Sequence, residues 1–346
     1  MELPRKILIG DGVFNELGKF VKSIDKNSLN IIFITGKNVK LMTERNAKNA
    51  MKDFSIRDHW YIRSDSSIES VCKLKNTINS KKPDMIIGLG GGKSVDIAKM
   101  IAHELDKPFI SIPTSASHDG IASPFVSLKG TSKPHSIKAN TPIGIIADTI
   151  LLSEAPPRLL SSGCGDLVAK ITAVKDWELS KEENQEYFGT YSANLAQMSA
   201  NIIVDKSEIL FRDLKIGIRI VIEALISAGV AACIAGSSRP CSGAEHLFSH
   251  ALEYLNDNVG GLHGERVGIG TIIMAKLHDL DWELIVRTLK NVNAPTSASE
   301  INISEKNMVD ALLIAKKLRP ERYTILNKTK LNRDLAYKLL KTVKVI

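Results

Sequence analysis

The chain has 346 residues, of which 44% are hydrophobic and 24% charged, a composition typical of a soluble globular protein with room for two domains. The net charge of +8 is spread along the sequence and only 5% of the residues are aromatic, which argues against a nucleic-acid-binding surface and favours small anionic ligands. The four cysteines lack C-x-x-C spacing and no signal peptide is recognisable, so we expect a cytoplasmic protein with reduced thiols.

The first part of the chain alternates short apolar runs, rich in β-branched residues, with helical patterns. Strands are predicted over residues 29–36, 84–90, 108–113 and 143–147. Nearly continuous apolar strands separated by helices indicate a parallel sheet that is covered on both faces. We therefore predict an α/β dinucleotide-binding domain over residues 1–155.

Beyond the Ala155-Pro-Pro157 stretch, helical periodicity dominates. Helices are predicted over residues 167–183, 191–204, 214–235, 244–256, 267–280 and 307–317. The longest apolar stretch, 224–238, is too short to span a bilayer, so we interpret it as a buried core helix and expect no membrane insertion. The predicted fold is an N-terminal α/β domain followed by an all-α domain over residues 156–346, with the active site in the cleft between them.

Two histidines with helical spacing indicate a metal site. His246 and His250 are four residues apart and therefore share one face of the predicted helix. The glycine-rich segment 259–264 allows the chain to turn and bring His263 toward that face. Imidazole suits zinc or iron, and a catalytic metal site needs about three protein ligands. The alternative is that these are surface or core histidines without a metal.

Asp166 follows Ser162-Gly-Cys-Gly and is predicted to stand at the start of a helix. There it would cap the helix or interact with the helix dipole. As a carboxylate it is also a natural third ligand for a site with two histidines.

The segment from Gly88 to Asp96, Gly-Leu-Gly-Gly-Gly-Lys-Ser-Val-Asp, lies where a predicted strand turns into a helix. Its glycines let the backbone approach a pyrophosphate, and a helix N-terminus offers free N–H groups to an anion. The spacing is neither G-x-G-x-x-G nor a Walker motif, so a purely structural turn is the alternative. The polar loop 112–124 offers hydroxyls for phosphate or ribose, and its Asp119 a carboxylate for a hydroxylated substrate.

Five motifs occur in a fixed order and cover most of the chain. They are Gly92-Lys-Ser-Val-Asp96, Pro113-Thr-Ser-Ala-Ser-His-Asp-Gly120, Gly165-Asp-Leu167, Ser238-Arg-Pro-Cys-Ser-Gly-Ala-Glu-His-Leu-Phe-Ser-His250 and His263-Gly-Glu-Arg-Val-Gly268. Together they resemble the archaeal sn-glycerol-1-phosphate dehydrogenases, within the superfamily of iron-containing alcohol dehydrogenase, glycerol dehydrogenase and dehydroquinate synthase. The start, Leu3 to Gly12, is also similar to this family, whereas the last 60 or so residues carry no motif of it.

The resemblance implies that Asp166, His246 and His263 bind one Zn²⁺ per subunit. It assigns Asp119, Asp166 and His250 to the substrate, so His250 moves from candidate ligand to substrate contact. Asp119 and His250 remain alternative proton donors. The basic residue that holds the substrate phosphate also remains open, with Lys170, Arg239 and Arg266 as candidates.

The implied reaction is the reversible reduction of dihydroxyacetone phosphate by NADH or NADPH to sn-glycerol 1-phosphate, the backbone of archaeal phospholipids. A related glycerol or polyol dehydrogenase is the alternative. Dehydroquinate synthase, a lyase, would be expected to carry Glu rather than Asp as the carboxylate ligand. We expect small phosphorylated molecules as ligands, no nucleic acid partner, and a homo-oligomer.

The resemblance, together with the position just after the first long strand, also implies a dinucleotide site. The residues assigned to it are Gly36, Lys37, Gly90, Gly91, Gly92, Lys93, Ser94, Val95, Asp96, Thr114, Ser115, Ala116, Ser117 and Ser123. NAD-specific sites commonly use an acidic side chain for the adenosine ribose, and Ile34-Thr-Gly-Lys-Asn38 has none. Because Gly36 gives room and Lys37 adds positive charge, we predict that both cofactors serve and that NADPH is at least as good.

Overall fold

The structure is a computed structural model, and it describes the chain except residues 64, 66, 129–135, 257 and 258 and the side chain of residue 136. The described chain divides into two units. The first comprises Met1–Ala116 and the described residues of 120–156, and the second comprises Ser117–Asp119 and Pro157–Ile346.

A six-stranded sheet forms the centre of the first unit. Its six strands are β1 (Lys6–Gly10), β2 (Asn30–Thr35), β3 (Arg57–Ile62), β4 (Met85–Gly90), β5 (Phe109–Pro113) and β8 (Gly144–Asp148). Two further short strands are β6 (Phe125–Ser127) and β7 (Ser136–Lys138). The order in the sheet is β1-β8-β5-β4-β2-β3 and every neighbouring pair is parallel, whereas β6 and β7 form a separate antiparallel pair. The predicted α/β fold with a parallel sheet is confirmed.

The predicted strands are the inner strands of this sheet. Every residue of β2, β4, β5 and β8 is buried. The two edge strands, β1 and β3, were not predicted because they carry exposed and polar positions. The indole ring of Trp60 on β3 nevertheless stacks on Phe33 of β2, with ring centroids 4.3 Å apart.

Helices cover both faces of the sheet. They are α1 (Leu17–Ile24), α2 (Lys37–Met51), α3 (Ile68–Asn79), α4 (Gly92–Glu104) and α5 (Thr149–Ser153), with short 3-10 segments at Val13–Glu16, Lys52–Phe54 and Asp119–Ile121. Successive residues of a strand point to opposite faces. Accordingly, Ile31 and Phe33 belong to one hydrophobic cluster, and Ile32 and Ile34 belong to another.

The second unit is helical, as predicted. Its helices are α6 (Pro157–Val168), α7 (Lys170–Asn184), α8 (Thr190–Lys206), α9 (Leu214–Ala235), α10 (Ala244–Leu255), α11 (His263–Leu277), α12 (Trp282–Asn291), α13 (Glu305–Leu318), α14 (Ile325–Lys328) and α15 (Arg333–Thr342), with a 3-10 segment at Ser299–Ile301. The helices α6, α12, α14 and α15 were not predicted. The candidate ligands lie on α6, α10 and α11.

The prediction that Asp166 begins a helix was wrong, because Asp166 lies in the last turn of α6. Gly165, just before it, lies inside α6 and serves close helix packing. A Cβ atom on Gly165 would lie 2.3 Å from the carbonyl oxygen of Gly264, and one on Gly264 would lie 1.8 Å from that of Ser162. Only glycine at these positions lets the backbones of α6 and α11 approach so closely.

Most of the apolar stretch 224–238, predicted to be too short to span a bilayer, belongs to the longer helix α9. It has 22 residues and a mean hydropathy of 2.1 in its most apolar window, so by length and composition it is sufficient to cross a membrane. However, 61% of that window is buried inside the protein, which is how the core helix of a folded unit behaves. It is the one such helix among the residues that the structure describes.

Candidate active site

Asp166, His246 and His263 come together in the second unit, from helices α6, α10 and α11. One ligand atom from each lies within 4.8 Å of the others, and no other such group occurs in the described residues. His246 Nε2 is 3.4 Å and His263 Nε2 is 4.0 Å from Asp166 Oδ1. A carboxylate with two imidazoles is a donor set suited to a divalent transition metal such as zinc.

The imidazole of His246 is oriented by the buried carboxylate of Glu245. His246 Nδ1 lies 2.8 Å from Glu245 Oε1. Glu245 in turn accepts hydrogen bonds from Thr172 Oγ1 and from the backbone N–H of Gly243. When Nδ1 carries the proton and donates a hydrogen bond to Glu245, the lone pair of Nε2 faces Asp166. Such a carboxylate–histidine pair is the usual support of a metal-binding histidine.

Charges around Asp166 keep it ionised. Burial alone would raise the pKa of Asp166, but the positive charge of Lys170 and a hydrogen bond with His246 hold it well below its usual range. Burial would lower the pKa of His246, but hydrogen bonds with Asp166 and Glu245 raise it to about 9. The carboxylates thus attract a positive charge to His246 Nε2, and a bound metal ion would take the place of that proton.

His263 is positioned by the turn that precedes α11. Gly261 has a φ of +73°, a conformation that side chains disfavour. Glu265 accepts a hydrogen bond from the backbone N–H of Leu262 and pairs with Arg158 of α6. These contacts tie the turn to the helix that carries Asp166. The side chain of His263 remains 38% exposed, so the group has one open side.

Lys170 joins Asp166 to Asp119. Its ammonium nitrogen is fully buried, 2.8 Å from Asp119 Oδ2 and 3.2 Å from Asp166 Oδ1. Both distances are those of ion pairs. Burial would lower the pKa of Lys170, but the two aspartates raise it, so the ammonium stays charged. The backbone N–H of Asp119 also donates to Asp166 Oδ2 at 3.0 Å, which fixes Asp119 beside the group.

His250 lies next to the three ligands without joining them. Its ring centroid is 6.2 Å from that of His263. His250 Nδ1 is 3.3 Å from Glu253 Oε2, and Glu253 forms an ion pair with Arg266. Arg266 also donates to the carbonyl oxygen of Gly261 at 2.6 Å, so one arginine holds both the His250 pair and the turn before His263.

The ion pairs of Glu253 with Arg266 and His250 predict that the folded protein loses stability in acid. Burial would raise the pKa of Glu253, but His250 and Arg266 lower it from its ordinary value of 4.5 to about 2. Its stabilising charge is therefore fully present above pH 4.5 and lost as the pH falls from 4.5 to about 2. We expect the unfolding free energy of the wild type to fall by about 1–2 kcal/mol more than that of Glu253→Gln between pH 7 and pH 3. This value allows for the partial exposure of the Glu253 side chain.

Urea unfolding of both proteins at the two pH values measures this difference. Glu182→Gln, at an exposed position of α7, is the matched control and should follow the wild type. Parallel losses in the wild type and in Glu253→Gln would contradict the prediction.

The glycine segment of the first unit forms an open turn between β4 and α4. Gly90 has a φ of +148°, and a Cβ atom there would lie 2.8 Å from Ser94 Oγ. A Cβ atom on Gly91 would approach Ser115 Oγ to 3.5 Å. The backbone N–H of Thr114, directly after β5, donates to the carbonyl oxygen of Gly90. The turn is thus a glycine-lined cradle at the carboxyl end of two adjacent strands, as an anion site at a helix N-terminus requires.

The remaining residues assigned to the dinucleotide are more dispersed. Gly36 directly follows β2, and Lys37 and Lys93 are exposed. Among the other assigned residues, the buried ones include Val95, Asp96, Ala116 and Ser123. Asp96 Oδ2, for instance, accepts a hydrogen bond from the backbone N–H of Ser127. Ser117 belongs to the second unit.

Two of the three residues proposed to bind the substrate phosphate, Arg239 and Arg266, already form ion pairs inside the protein. Arg239 pairs with Glu186 and donates to the carbonyl oxygen of Tyr323. Arg266 pairs with Glu253, as described above. The contacts of Arg239 and Arg266 therefore support the framework of the second unit.

Sequence reasoning missed the supporting carboxylates. Glu253 could have been found, because it is three residues after His250 and so lies on the same helix face. Glu245 gave no such signal, since a residue adjacent in sequence to His246 does not share its face. The pairing of Asp119 with Lys170 joins residues 51 positions apart, and no local pattern predicts it.

Comparison with known proteins defines the class first. Residues 8–156 match the iron-containing alcohol dehydrogenase family. The solved structure of glycerol dehydrogenase from Schizosaccharomyces pombe has the same fold, with a TM-score of 0.82 at 22% identity, covering 99% of this chain and 90% of that one. The chain therefore shares the fold of this glycerol dehydrogenase, and its first unit matches the iron-containing alcohol dehydrogenase family.

Curated relatives identify the family more closely. Glycerol-1-phosphate dehydrogenase [NAD(P)+] of Nitrosopumilus maritimus is 49% identical over 100% of this chain and 97% of its own length. The protein of the same name from Cenarchaeum symbiosum is 48% identical over 100% of this chain and 96% of its own. The chain belongs to the glycerol-1-phosphate dehydrogenase family and is an oxidoreductase, which confirms the resemblance drawn from the motifs.

Proposed function

We propose that this enzyme reduces dihydroxyacetone phosphate to sn-glycerol 1-phosphate with NADH or NADPH, and catalyses the reverse reaction. The observation that carries the proposal is the group of Asp166, His246 and His263, with ligand atoms within 4.8 Å, in a chain 49% identical to a glycerol-1-phosphate dehydrogenase. Neighbouring Asp119 and His250 supply the polar groups that a ketone and hydroxyl substrate needs.

The three side chains fit one zinc ion per subunit. Their carboxylate and imidazole donors match the usual zinc ligands, and three protein ligands leave a coordination position for substrate. Glu245 orients one imidazole from behind, as metal-binding histidines require. When bound, the metal supplies Lewis acidity toward the ketone oxygen.

The chain's own residues then bind the substrate and move a proton. Lys170 holds the carboxylate of Asp119, and Glu253 holds Nδ1 of His250, so both groups have fixed orientations. Because Nδ1 of His250 interacts with Glu253, its Nε2 can contact a hydroxyl or ketone oxygen of the substrate. The reduced oxygen needs a proton, directly or through water, from His250 or, once that carboxylate has taken up a proton, from Asp119.

The cofactor supplies the hydride, and we assign its binding to the first unit. The backbone of Gly90–Gly92 and the N-terminal turn of α4 suit the pyrophosphate. Thr114 and Ser115, on the adjacent strand end, offer hydroxyls. We keep the sequence-based assignments of Ser117 and Ser123 as part of this proposal.

In the cell, we propose that the enzyme acts in the cytoplasm as a homo-oligomer and makes the glycerol phosphate backbone of archaeal phospholipids. A glycerol or polyol dehydrogenase of the same class is the second candidate, supported by the shared fold of the Schizosaccharomyces pombe enzyme.

A coupled oxidation assay separates the two. Purified enzyme is given sn-glycerol 1-phosphate, sn-glycerol 3-phosphate or glycerol, each with NAD⁺ and NADP⁺, and the metal content of the same sample is measured. We expect kcat/KM for the 1-phosphate to exceed the other two by about 100-fold or more, because an unmet phosphate or misplaced hydroxyl costs several kcal/mol. Removal of the metal by a chelator should abolish activity, and zinc should restore it. Comparable or greater activity on glycerol would favour the polyol dehydrogenase.

A further inference from the structure

Arg63 lies at the carboxyl end of the sheet, in a place that the sequence did not single out. Its backbone N–H donates to the carbonyl oxygen of Thr35 at 2.9 Å, so it continues the pairing of β3 with β2. Its Nε donates to Ser94 Oγ, in the first turn of α4, at 2.9 Å. A Cβ atom on Gly36 would lie 3.8 Å from a terminal nitrogen of the guanidinium group. The side chain therefore reaches from β3 across the end of β2 to α4.

The charge of Arg63 has no carboxylate partner among the residues that the structure describes. Burial alone lowers its pKa, with no acidic group acting in the opposite direction. Two more deeply buried arginines, Arg239 and Arg266, each pair with a glutamate. Removing an arginine from water is costly unless another negative group meets it. A half-buried, unpaired guanidinium is therefore a place for an anion.

The position relative to β2 indicates which anion. In doubly wound sheets, the adenosine ribose of the dinucleotide is bound near the strand beside the glycine turn, by an acid for NAD or near an arginine for NADP. Here β2 is the neighbour of β4, and Gly36 follows it without an acidic side chain. Arg63 uses Nε to hold Ser94, and its terminal nitrogen Nη2 lies on the Gly36 side.

We propose that Arg63 binds the 2′-phosphate of NADP(H) and is the main residue that selects this cofactor, an inference that rests on the proposed dinucleotide site. A planar guanidinium binds phosphate through two N–H groups at once, which a lysine does not do. Lys37, exposed on the same turn, adds a positive charge without that geometry. The alternative anion is the pyrophosphate, which both cofactors share.

Direct binding to the purified enzyme, in the absence of substrate, tests the assignment. Calorimetry is performed with NADH and NADPH, and with 5′-AMP and adenosine 2′,5′-bisphosphate, which differ only in the 2′-phosphate. Arg63→Ala should weaken binding of NADPH and of the bisphosphate by about tenfold or more, and binding of NADH and AMP by less than about twofold. Arg63→Lys should recover part of the loss. Arg57→Ala, at the other end of β3, is the matched control and should bind as the wild type does.

Each other outcome has a definite meaning. Equal weakening of NADH and NADPH by Arg63→Ala would overturn the assignment in favour of a pyrophosphate contact. Unchanged binding in both Arg63 variants would overturn it as well. If the wild type bound neither dinucleotide, the proposed function would fail and this inference with it. Thermal unfolding of each variant, compared with Arg57→Ala, shows whether a loss of binding reflects a loss of fold.

Discussion

Replacement of His246 or His263 by alanine is expected to remove the metal and abolish turnover. Each change deletes one of three ligands, and the two that remain hold a metal ion weakly. Loss of Lewis acidity costs several kcal/mol at the transition state, so we expect kcat to fall about a thousandfold or more. The fold should persist, because Glu245 keeps its hydrogen bonds with Thr172 and Gly243 when the His246 imidazole is removed.

Metal content by mass spectrometry and kcat measured on the same preparations test this expectation. His103→Ala is the matched control, since His103 is exposed on α4 and its imidazole lies beside Asn140, away from the three ligands. Asp166→Asn should weaken metal binding less than it lowers the rate, because the amide can coordinate but carries no charge. Stoichiometric metal and a near-normal rate in His263→Ala would refute the ligand assignment.

The sheet was predictable where burial is uniform. The inner strands β2, β4, β5 and β8 are apolar because both of their faces meet helices, and this leaves a run of hydrophobic residues in the sequence. Edge strands lack that constraint. Arg57-Asp-His-Trp-Tyr-Ile62 has no recognisable pattern, and its place beside β2 depends on contacts such as the stack of Trp60 on Phe33.

Glycine has two uses that one sequence does not distinguish. Gly90 and Gly261 have positive φ and mark true turns, which the glycine-rich patterns predicted. Gly165 lies inside α6, where it permits close contact with the backbone of Gly264. A glycine needed for packing, such as Gly165 beside Asp166, looks the same in the sequence as a glycine needed for a turn.

The candidate site was predictable in its ligand types but not in its support. The i, i+4 spacing of His246 and His250 put both residues on one face of α10. Which of them joins Asp166 depends on how α6 and α11 pack, and that is a long-range property. The pairing of Lys170 with Asp119 and the place of Arg63 had no local signal either, because both depend on residues that are distant in sequence.

Replacement of His250 by alanine should separate substrate binding from metal binding. The ring of His250 lies 6.2 Å from that of His263, and His250 is not one of the three grouped ligands. The variant should therefore retain its metal and its affinity for the dinucleotide. Loss of one positioned hydrogen bond at the transition state is worth about 2–4 kcal/mol, so kcat/KM should fall about 30- to 1000-fold.

Glu253→Gln provides the graded comparison for His250→Ala. The amide still fills the space beside His250 Nδ1, but it no longer carries the charge that fixes the imidazole. We expect a smaller loss of kcat/KM, about tenfold, with metal retained, because an orienting partner is removed and not the group that contacts substrate. Metal analysis, dinucleotide calorimetry and steady-state kinetics on both variants provide the measurement. If His250→Ala lost its metal, His250 would be a ligand, and the four-residue spacing with His246 would mark a two-histidine metal face of α10 after all.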